Sequence, residues 1–223
     1  MRKSIYDILI QLVLIIVGVL SALGVDNYRE SIQERKLEKE YLVNLRNSVQ
    51  LDTVMLKNEI QRTFAKINAI SKLLVLSDSL KVVEEEKFAE LITNVIMLIR
   101  PNFITAVYDE LKFTGNFKLI RNNELKSLII SYYGDNAIIQ QQNNLELSGY
   151  QDELLDVLTF DELEYKIPFD QKKIYKAIKN YESTRRQLQR SQKKTSIVRS
   201  GLIYTSMPRS IELLEKLQAE IDK

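Results

Sequence analysis

The side chains that could do chemistry in this chain are carboxylates, lysines, tyrosines and serines, because the sequence contains no His and no Cys. It therefore lacks a thiolate nucleophile, Cys-ligated zinc or iron–sulfur sites, and the commonest general base and metal ligand. The densest carboxylate group is Glu84, Glu85 and Glu86. A carboxylate enzyme built on this triplet is one hypothesis, but acidic residues are also typical of a solvated first turn of a helix. We predict a non-enzymatic protein without a cofactor or metal.

A second group of candidate residues lies inside an apolar run, Ile5 to Val25, in which only Asp7, Gln11 and Ser21 are clearly polar. At about 1.5 Å per residue the run reaches roughly 30 Å, enough to cross a bilayer. A cleaved signal peptide is the alternative, but signal-peptide cores are about 7–15 residues long. We predict an uncleaved transmembrane anchor over residues 1–25.

One face of this anchor could associate with another helix. At 100° per residue the members of the face fall within about 100° of one another; they are Asp7, Gln11, Gly18, Ser21 and Ala22. Gly18 and Ala22 would let a second helix approach closely, and Gln11 could hydrogen-bond to it. The alternative is that Gly and Ala are ordinary in membrane helices and that Gln11 bonds its own backbone.

The charges around the anchor bear on its orientation. Arg2 and Lys3 precede the run, whereas four basic residues follow it within 15 residues, and a bare Lys/Arg count therefore favours a cytoplasmic domain. The short tail and its boundary charges favour a signal anchor in the inner (cytoplasmic) membrane with the C-terminal domain in the periplasm, which is our prediction. The net charge of +2 gives no reason to expect nucleic acid as a partner.

The remaining sequence predicts an all-α protein in which the transmembrane helix continues into a long amphipathic helix of an antiparallel helical bundle. Gly (6) and Pro (3) are scarce, which favours long helices. Residues 26–76 form a predicted stalk or first bundle helix, and residues 77–223 form the rest of the bundle. Asp52 lies on the predicted seam, which favours packing within the chain over a self-associating coiled coil. The predicted apolar face of the long helix consists of Leu37, Tyr41, Leu45, Val49, Leu56, Ile60, Phe64, Ile67, Ile70 and Leu74.

Turn and cap residues predict the later boundaries. The cluster Ser77-Asp78-Ser79 should end the long helix, and a second helix should run from Val83 to Ile99, before Pro101. A third helix over Phe103 to Thr114 should close at Gly115. Asn122 or Asn123 should cap a helix that reaches Leu158. Asp170 should cap the next one, Met207-Pro208 should kink or restart the chain, and Ser210 to Lys223 should be amphipathic.

The second half of the chain has an asymmetry of charge. Its acidic residues, between Glu146 and Glu164, are Glu146, Asp152, Glu153, Asp156, Asp161, Glu162 and Glu164. Its basic residues, between Lys172 and Arg199, are Lys172, Lys173, Lys176, Lys179, Arg185, Arg186, Arg190, Lys193, Lys194 and Arg199. Two interpretations stay open: an antiparallel hairpin of oppositely charged helices, or a basic face, Lys172 to Lys194, for anionic lipid headgroups or another polyanion.

Two blocks of the sequence resemble a family of single-pass membrane proteins common in Bacteroidota, classed as a domain of unknown function. The first block is VGVLSAL at Val17–Leu23 with NYRE at Asn27–Glu30 and RKLEKEYL at Arg35–Leu42, and the second is YDELKFTGN at Tyr108–Asn116 with Leu119-Ile120 and Tyr132-Tyr133. The resemblance implies a bacterial envelope protein of flavobacterial type and supplies no activity. The family usually has Glu where Gln11 stands and Trp where Tyr28 stands, and Gln11 cannot carry a proton.

These patterns favour a membrane-anchored helical interaction or scaffold protein of the bacterial envelope, with a protein partner or a second copy of itself. The alternative is a sensor or signalling input domain that acts through a partner protein.

Overall fold

The computed structural model describes the main chain of residues 2–159 and 170–223 and the side chains of residues 9–141 and 170–223. Within these ranges the chain is helical and has no strand, which confirms the all-α prediction. The α-helices are α1 (Arg2–Ser79), α2 (Glu85–Ile96), α3 (Ala106–Phe113), α4 (Asn123–Thr159), α5 (Gln171–Asn180), α6 (Glu182–Gly201) and α7 (Met207–Ile221).

The long helix α1 is continuous from the apolar run into the bundle. Neither Gly nor Pro occurs after Gly24 until well beyond its end, so nothing in the sequence interrupts it. In its last turns the Ser77 hydroxyl donates to the Leu73 carbonyl at 2.7 Å. Leu80 follows with φ 51°, a left-handed conformation that commonly ends a helix. The helix thus ends at the predicted turn cluster, and its buried positions begin at Glu38.

The other helices run along α1 in both directions. Contacts of Arg121 with Glu38 and of Tyr132 with Asp52 show that α4 runs in the same direction as α1. Contacts of Lys216 with Glu124 and of Arg209 with Ser131 show that α7 runs opposite to α4, and therefore opposite to α1. The C-terminus therefore returns to the end of the bundle that is nearer the apolar run.

Two apolar clusters form the core. The proximal cluster joins α1 to α3, α4 and α7; its buried members are Tyr41, Leu42, Leu45, Val49, Leu56, Phe103, Leu111, Leu119, Ile120, Leu125, Ile129, Tyr132, Tyr133, Leu202, Leu213, Leu217 and Ile221. The distal cluster joins α1 to α2, α5 and α6; its buried members are Ala69, Ile70, Leu73, Leu76, Phe88, Leu91, Ile92, Val95, Ile174, Tyr175, Ile178 and Leu188. Each large side chain buried in this way contributes about 1.5–3 kcal/mol.

The buried face of α1 repeats every seven residues. Steps of four and three carry it from Glu38 to Ser77, and every position is at most 9% exposed. We call this face the inner seam; its residues are Glu38, Leu42, Leu45, Val49, Asp52, Leu56, Glu59, Thr63, Lys66, Ile70, Leu73 and Ser77. The predicted apolar face was partly wrong: Leu37 is 38% exposed and Phe64 is 51% exposed. The prediction placed Leu37 and Phe64 in the core because it considered only apolar residues, whereas several buried positions of the inner seam are polar.

The short helices end close to their predicted positions. Gly115 follows α3 with φ 72°, the left-handed conformation predicted for it, and a 3₁₀ turn (Asn116–Leu119) leads on to α4. Asn122 caps α4 by accepting the Leu125 N–H at 3.1 Å. Asp170 caps α5 by accepting the Lys173 N–H at 3.0 Å.

Two features of the C-terminal half were not predicted in this form. The basic segment is broken at Tyr181, which is extended between α5 and α6 although neither Gly nor Pro is nearby. At Met207-Pro208 a new α-helix begins, as predicted, but a π turn (Leu202–Ser206) joins it to α6 without a loop. The wider turn, in which the Met207 N–H bonds the Leu202 carbonyl, makes room for a proline ring that cannot donate.

Replacing two glycines by alanine should move the free energy of unfolding in opposite directions. Neither Gly115 nor Gly134 has a heavy atom within 4 Å of where a Cβ would lie, so the backbone conformation decides the sign. We expect Gly115→Ala to destabilise by about 1 kcal/mol because of its positive φ. We expect Gly134→Ala, inside α4, to stabilise by about 0.5–1 kcal/mol. Urea unfolding of the full chain in detergent measures both, and equal shifts would contradict the assignment of Gly115.

Candidate functional site

The N-terminal part of α1 is apolar all round and is not covered by the rest of the chain. Its best 18-residue window has a mean hydropathy of 2.4 and is 0% buried. Large apolar side chains from Leu9 to Val25 are 48–64% exposed. By length and composition this is the one candidate membrane span among the described residues, although a signal sequence would pass the same criteria.

The predicted association face lies on this exposed part. Gln11, Gly18, Ser21 and Ala22 are exposed, and beyond the adjoining backbone of α1 no atom of the described chain lies within 4 Å of a Cβ built on Gly18. The side chain of Asp7 lies outside the described residues. Only lipid or another molecule could contact the four described residues of this face, and helix association there stays a prediction.

Three ionisable residues of the inner seam form the most regular polar arrangement in the molecule. Glu38, Asp52 and Lys66 are spaced 14 residues apart, two seven-residue repeats, and are 2%, 0% and 4% exposed. At about 1.5 Å per residue, successive members lie roughly 21 Å apart along α1. Each is therefore buried at a different level of the bundle.

Each of these three side chains bonds to the main chain of a link between helices. The Arg121 N–H donates to Glu38 at 2.7 Å, just before α4. The Ile104 N–H donates to Asp52 Oδ1 at 2.9 Å. Lys66 Nζ donates to the Met97 carbonyl at 2.7 Å. Buried main-chain groups outside helices need such partners, so α1 supplies the hydrogen bonds that the links cannot make themselves.

Asp52 is the most deeply buried carboxylate of this set. Its second oxygen accepts the Tyr132 hydroxyl at 2.9 Å, which ties α4 to α1. Burial raises the pKa of Asp52 despite the opposing effect of its hydrogen bonds from Ile104 and Tyr132. Burial, and then the charge of Asp52, raise the pKa of Tyr132. Both groups therefore bind their protons more tightly than they would in water.

Lys66 lies where the proximal cluster gives way to the distal one. Burial lowers the pKa of its ammonium to about 8. Beside it, Arg62 pairs with Glu59 and donates to the Leu98 carbonyl at 2.8 Å. The segment 97–105 between α2 and α3 is thus held by Lys66 and Arg62 at one end and by Asp52 at the other.

These buried side chains hold the links and α4 in position against α1. Their contacts run to main-chain carbonyls, amides and a tyrosine hydroxyl within the bundle. In the part of the chain that the structure describes, no three His, Cys, Asp or Glu residues lie close enough together to hold a metal ion.

A second repeat of seven runs along the solvent-exposed side of α1. We call it the outer seam; its residues are Asn44, Asn47, Leu51, Val54, Asn58, Gln61, Ala65 and Asn68. All are exposed except Ala65, which is half-buried, and Leu51 and Val54 are 56% and 54% exposed. None is charged, whereas Glu40 and Lys72 occupy the next positions at either end. The outer seam is a long exposed helix face without charge.

The predicted basic face lies at the far end of the bundle from the apolar run. Lys172, Lys173, Lys176 and Lys179 are exposed on α5, and the other members lie on α6: Arg185, Arg186, Arg190, Lys193 and Lys194. Some of this charge is already paired, because Arg185 holds both carboxylate oxygens of Asp78 at 2.6 and 2.9 Å and lowers the pKa of that carboxyl. Arg186 pairs with Glu182 at 2.5 Å.

The position of Asp78 limits what the basic face could bind. It lies 53 residues beyond Val25 on the same helix, about 80 Å at 1.5 Å per residue. Charges at that distance are screened from the headgroups of a membrane crossed by the apolar run, which disfavours those headgroups as the ligand. The acidic side chains from Glu146 to Glu164 lie outside the described residues, so the predicted pairing with them is not tested.

A cleft of about 500 Å³ near the C-terminus lies between α4 and α7. Ser127 and Ser131 line it on α4, and Lys216 bridges it to Glu124 at 3.2 Å. An exposed pair of this kind contributes little to stability and supplies no perturbed group for catalysis. The cleft therefore does not compete with α1 as the candidate site.

Comparison with known proteins finds no family model, curated protein or solved structure that matches this chain.

Sequence reasoning identified Asp52 as a seam residue but missed Glu38 and Lys66. The sequence did contain a signal, because Glu38 and Lys66 are separated from Leu45, Asp52 and Leu73 by multiples of seven residues. A template that accepts polar residues at core positions would have found them. The outer seam was missed because five of its eight residues are Asn or Gln, which an apolar template ignores.

Two substitutions at Asp52 should separate the loss of its charge from the loss of its hydrogen bonds. In Asp52→Asn an amide oxygen can still accept from Ile104 and the amide nitrogen can donate to Tyr132, so we expect a change within about 1 kcal/mol at pH 7. Asp52→Leu leaves both partners buried and unpaired and should cost about 2–5 kcal/mol. Urea unfolding in detergent measures both; similar costs for the two variants would contradict the role given to the hydrogen bonds.

Lys66 should make the bundle more stable as the pH rises above 8. Its folded pKa of about 8 lies below the unfolded value of 10.5, so the folded state loses the proton first and gains stability between these values. We expect a rise of about 2–3 kcal/mol from pH 8 to pH 10, at roughly 1.4 kcal/mol per pH unit. Lys66→Met should abolish the rise, and Lys57→Met, an exposed control on the same helix, should keep it. A rise that survives in Lys66→Met would assign it to another group.

Proposed function

We propose that this chain is a single-pass membrane protein whose helical bundle serves as an interaction or scaffold domain beside the membrane. The observation that carries the proposal is the apolar N-terminal part of α1, which is exposed on every side from Leu9 to Val25. Such a surface in water would be strongly unfavourable, whereas a bilayer would cover it at no cost.

The bundle would then lie close to the membrane surface. Arg121 reaches Ser31 with a contact of 3.4 Å, and Ser31 is six residues beyond Val25. Six residues of helix span about 9 Å, so little free helix separates the apolar run from the first contact within the bundle. A rigid connection of this kind supports a domain that presents one defined side to other molecules at the membrane.

The setting that we propose is the inner membrane of a bacterial envelope, with the bundle in the periplasm. It is supported by Arg2 and Lys3, which lie directly before the apolar run, in a tail too short to be a translocated domain. The uncharged outer seam is the surface of α1 on which a protein partner would meet no charge to desolvate.

Membrane extraction followed by crosslinking tests this function. We expect the full chain to stay in membranes washed with alkaline carbonate, and a variant without residues 1–25 to be soluble. Crosslinking in intact cells followed by mass spectrometry should then recover a reproducible protein partner, which can be a second copy of the chain, with the full chain but not with the truncated control. Release of the full chain by carbonate, or recovery of the chain only as an uncrosslinked monomer, would overturn the proposal.

A relay of signals is the second candidate function, and the continuity of α1 from Arg2 to Ser79 favours it. Rotation of the membrane part would be carried directly to Glu38, Asp52 and Lys66 and hence to the links. Deleting one or two residues between Val25 and Ser31 rotates the bundle by about 100° per residue. Partner recovery that varies with this rotation would favour a relay, whereas unchanged recovery would favour a scaffold.

A further inference from the structure

We propose that two copies of this chain pair in parallel through the outer seams of their α1 helices. The inference rests on the proposed function, because one membrane would hold both copies in the same orientation. It identifies the partner of the scaffold surface as a second copy of the chain.

The absence of charge on the outer seam fits a symmetric pair. In a parallel two-fold contact each seam residue lies opposite its own copy, so any charged residue would meet a like charge. From Asn44 to Asn68 the seam has no such residue, over a length of about 36 Å. Glu40 and Lys72 would meet their own copies beyond the two ends, and they mark the limits of the contact.

The composition of the outer seam also fits a pair of helices. Leu51, Val54 and Ala65 supply apolar contact along it, and Asn or Gln occupies the other five positions. An asparagine at a core position of a coiled coil can hydrogen-bond to its own copy and favours an in-register pair at some expense of stability.

The outer seam lies on the same side of α1 as the association face of the apolar run, and the exposed Lys36 lies between the two on that side. Gly18 and Val54 are 36 residues apart, and so are Ala22 and Asn58. At 3.6 residues per turn this distance is ten whole turns, so both pairs of residues face the same side of α1. Small residues at 18 and 22 would allow close approach within the membrane on the side where the outer seams meet outside it.

The acidic residues within this part of α1 do not oppose the pairing. Asp52 and Glu59 are 0% and 9% exposed on the inner seam, where they contact their own bundle. The objection that Asp52 raises against a self-associating coiled coil therefore applies to the inner seam alone.

A cysteine scan of the full chain in its native membranes tests the pairing, because the protein has no cysteine of its own. Single variants at Val54, Asn58 and Gln61 lie on the outer seam, and Lys57→Cys and Phe64→Cys lie beside it on the same exposed helix. Facing Cα atoms of a parallel pair fall within disulfide reach, about 4.4–6.8 Å. After mild oxidation we expect a band at twice 26.0 kDa for the three seam variants and little or none for the two controls.

A charge placed on the seam provides a second test that does not disturb the core. Val54→Glu in the Asn58→Cys chain should abolish the disulfide, whereas Ile138→Glu, at a similarly exposed residue on α4, should leave it unchanged. Equal disulfide yields on and beside the seam, or none at any position in a chain that stays in membranes, would overturn the pairing alone. Loss of the chain from carbonate-washed membranes would instead be the failure of the proposed function. A different protein captured by a photoreactive residue at position 54 would overturn self-pairing and keep the scaffold.

Discussion

The bundle depends on hydrogen bonds from buried ionisable side chains of α1 to the main chain of the links. A buried charge without a partner is strongly unfavourable, and a buried amide or carbonyl outside a helix needs a partner as well. At Glu38, Asp52 and Lys66 the buried side chain and the main-chain group of the link serve as each other's hydrogen-bond partner. Because these contacts lie 14 residues apart, they determine where along α1 the other helices begin.

This arrangement explains why the core has two apolar clusters instead of one. Between them the inner seam presents Glu59, Thr63 and Lys66, and the segment 97–105 packs there in place of a helix. An apolar residue at 66 would remove the donor to Met97 and leave its carbonyl unpaired. The polar middle therefore specifies the path of the chain between α2 and α3, and the apolar clusters on either side supply most of the stability.

Much of the fold was predictable from local chemistry. The end of α1, the left-handed Gly115 and the caps at Asn122 and Asp170 follow from residue types whose conformational preferences act within a few residues. The break at Tyr181 and the π turn before Pro208 were not predictable in this way, because they depend on how α5, α6 and α7 fit against α1. The burial of Lys66 was missed for the same reason. Its partner is a main-chain carbonyl 31 residues away, and every residue has a carbonyl, so the sequence does not indicate which one a lysine will bind.

The period of the two seams bears on how the apolar run and the bundle can be aligned. A seam that repeats every seven residues drifts by about 20° per repeat relative to a straight α-helix, and packing removes the drift by a left-handed supercoil. The inner seam begins at Glu38, so only the two to three repeats between Glu38 and Val54 contribute to a misalignment between Gly18 and Val54. The resulting rotation of about 40–50° is smaller than the roughly 100° width of the whole association face, which runs from Ser21 to Ala22 around the helix. The association face and the outer seam therefore lie on the same side of α1.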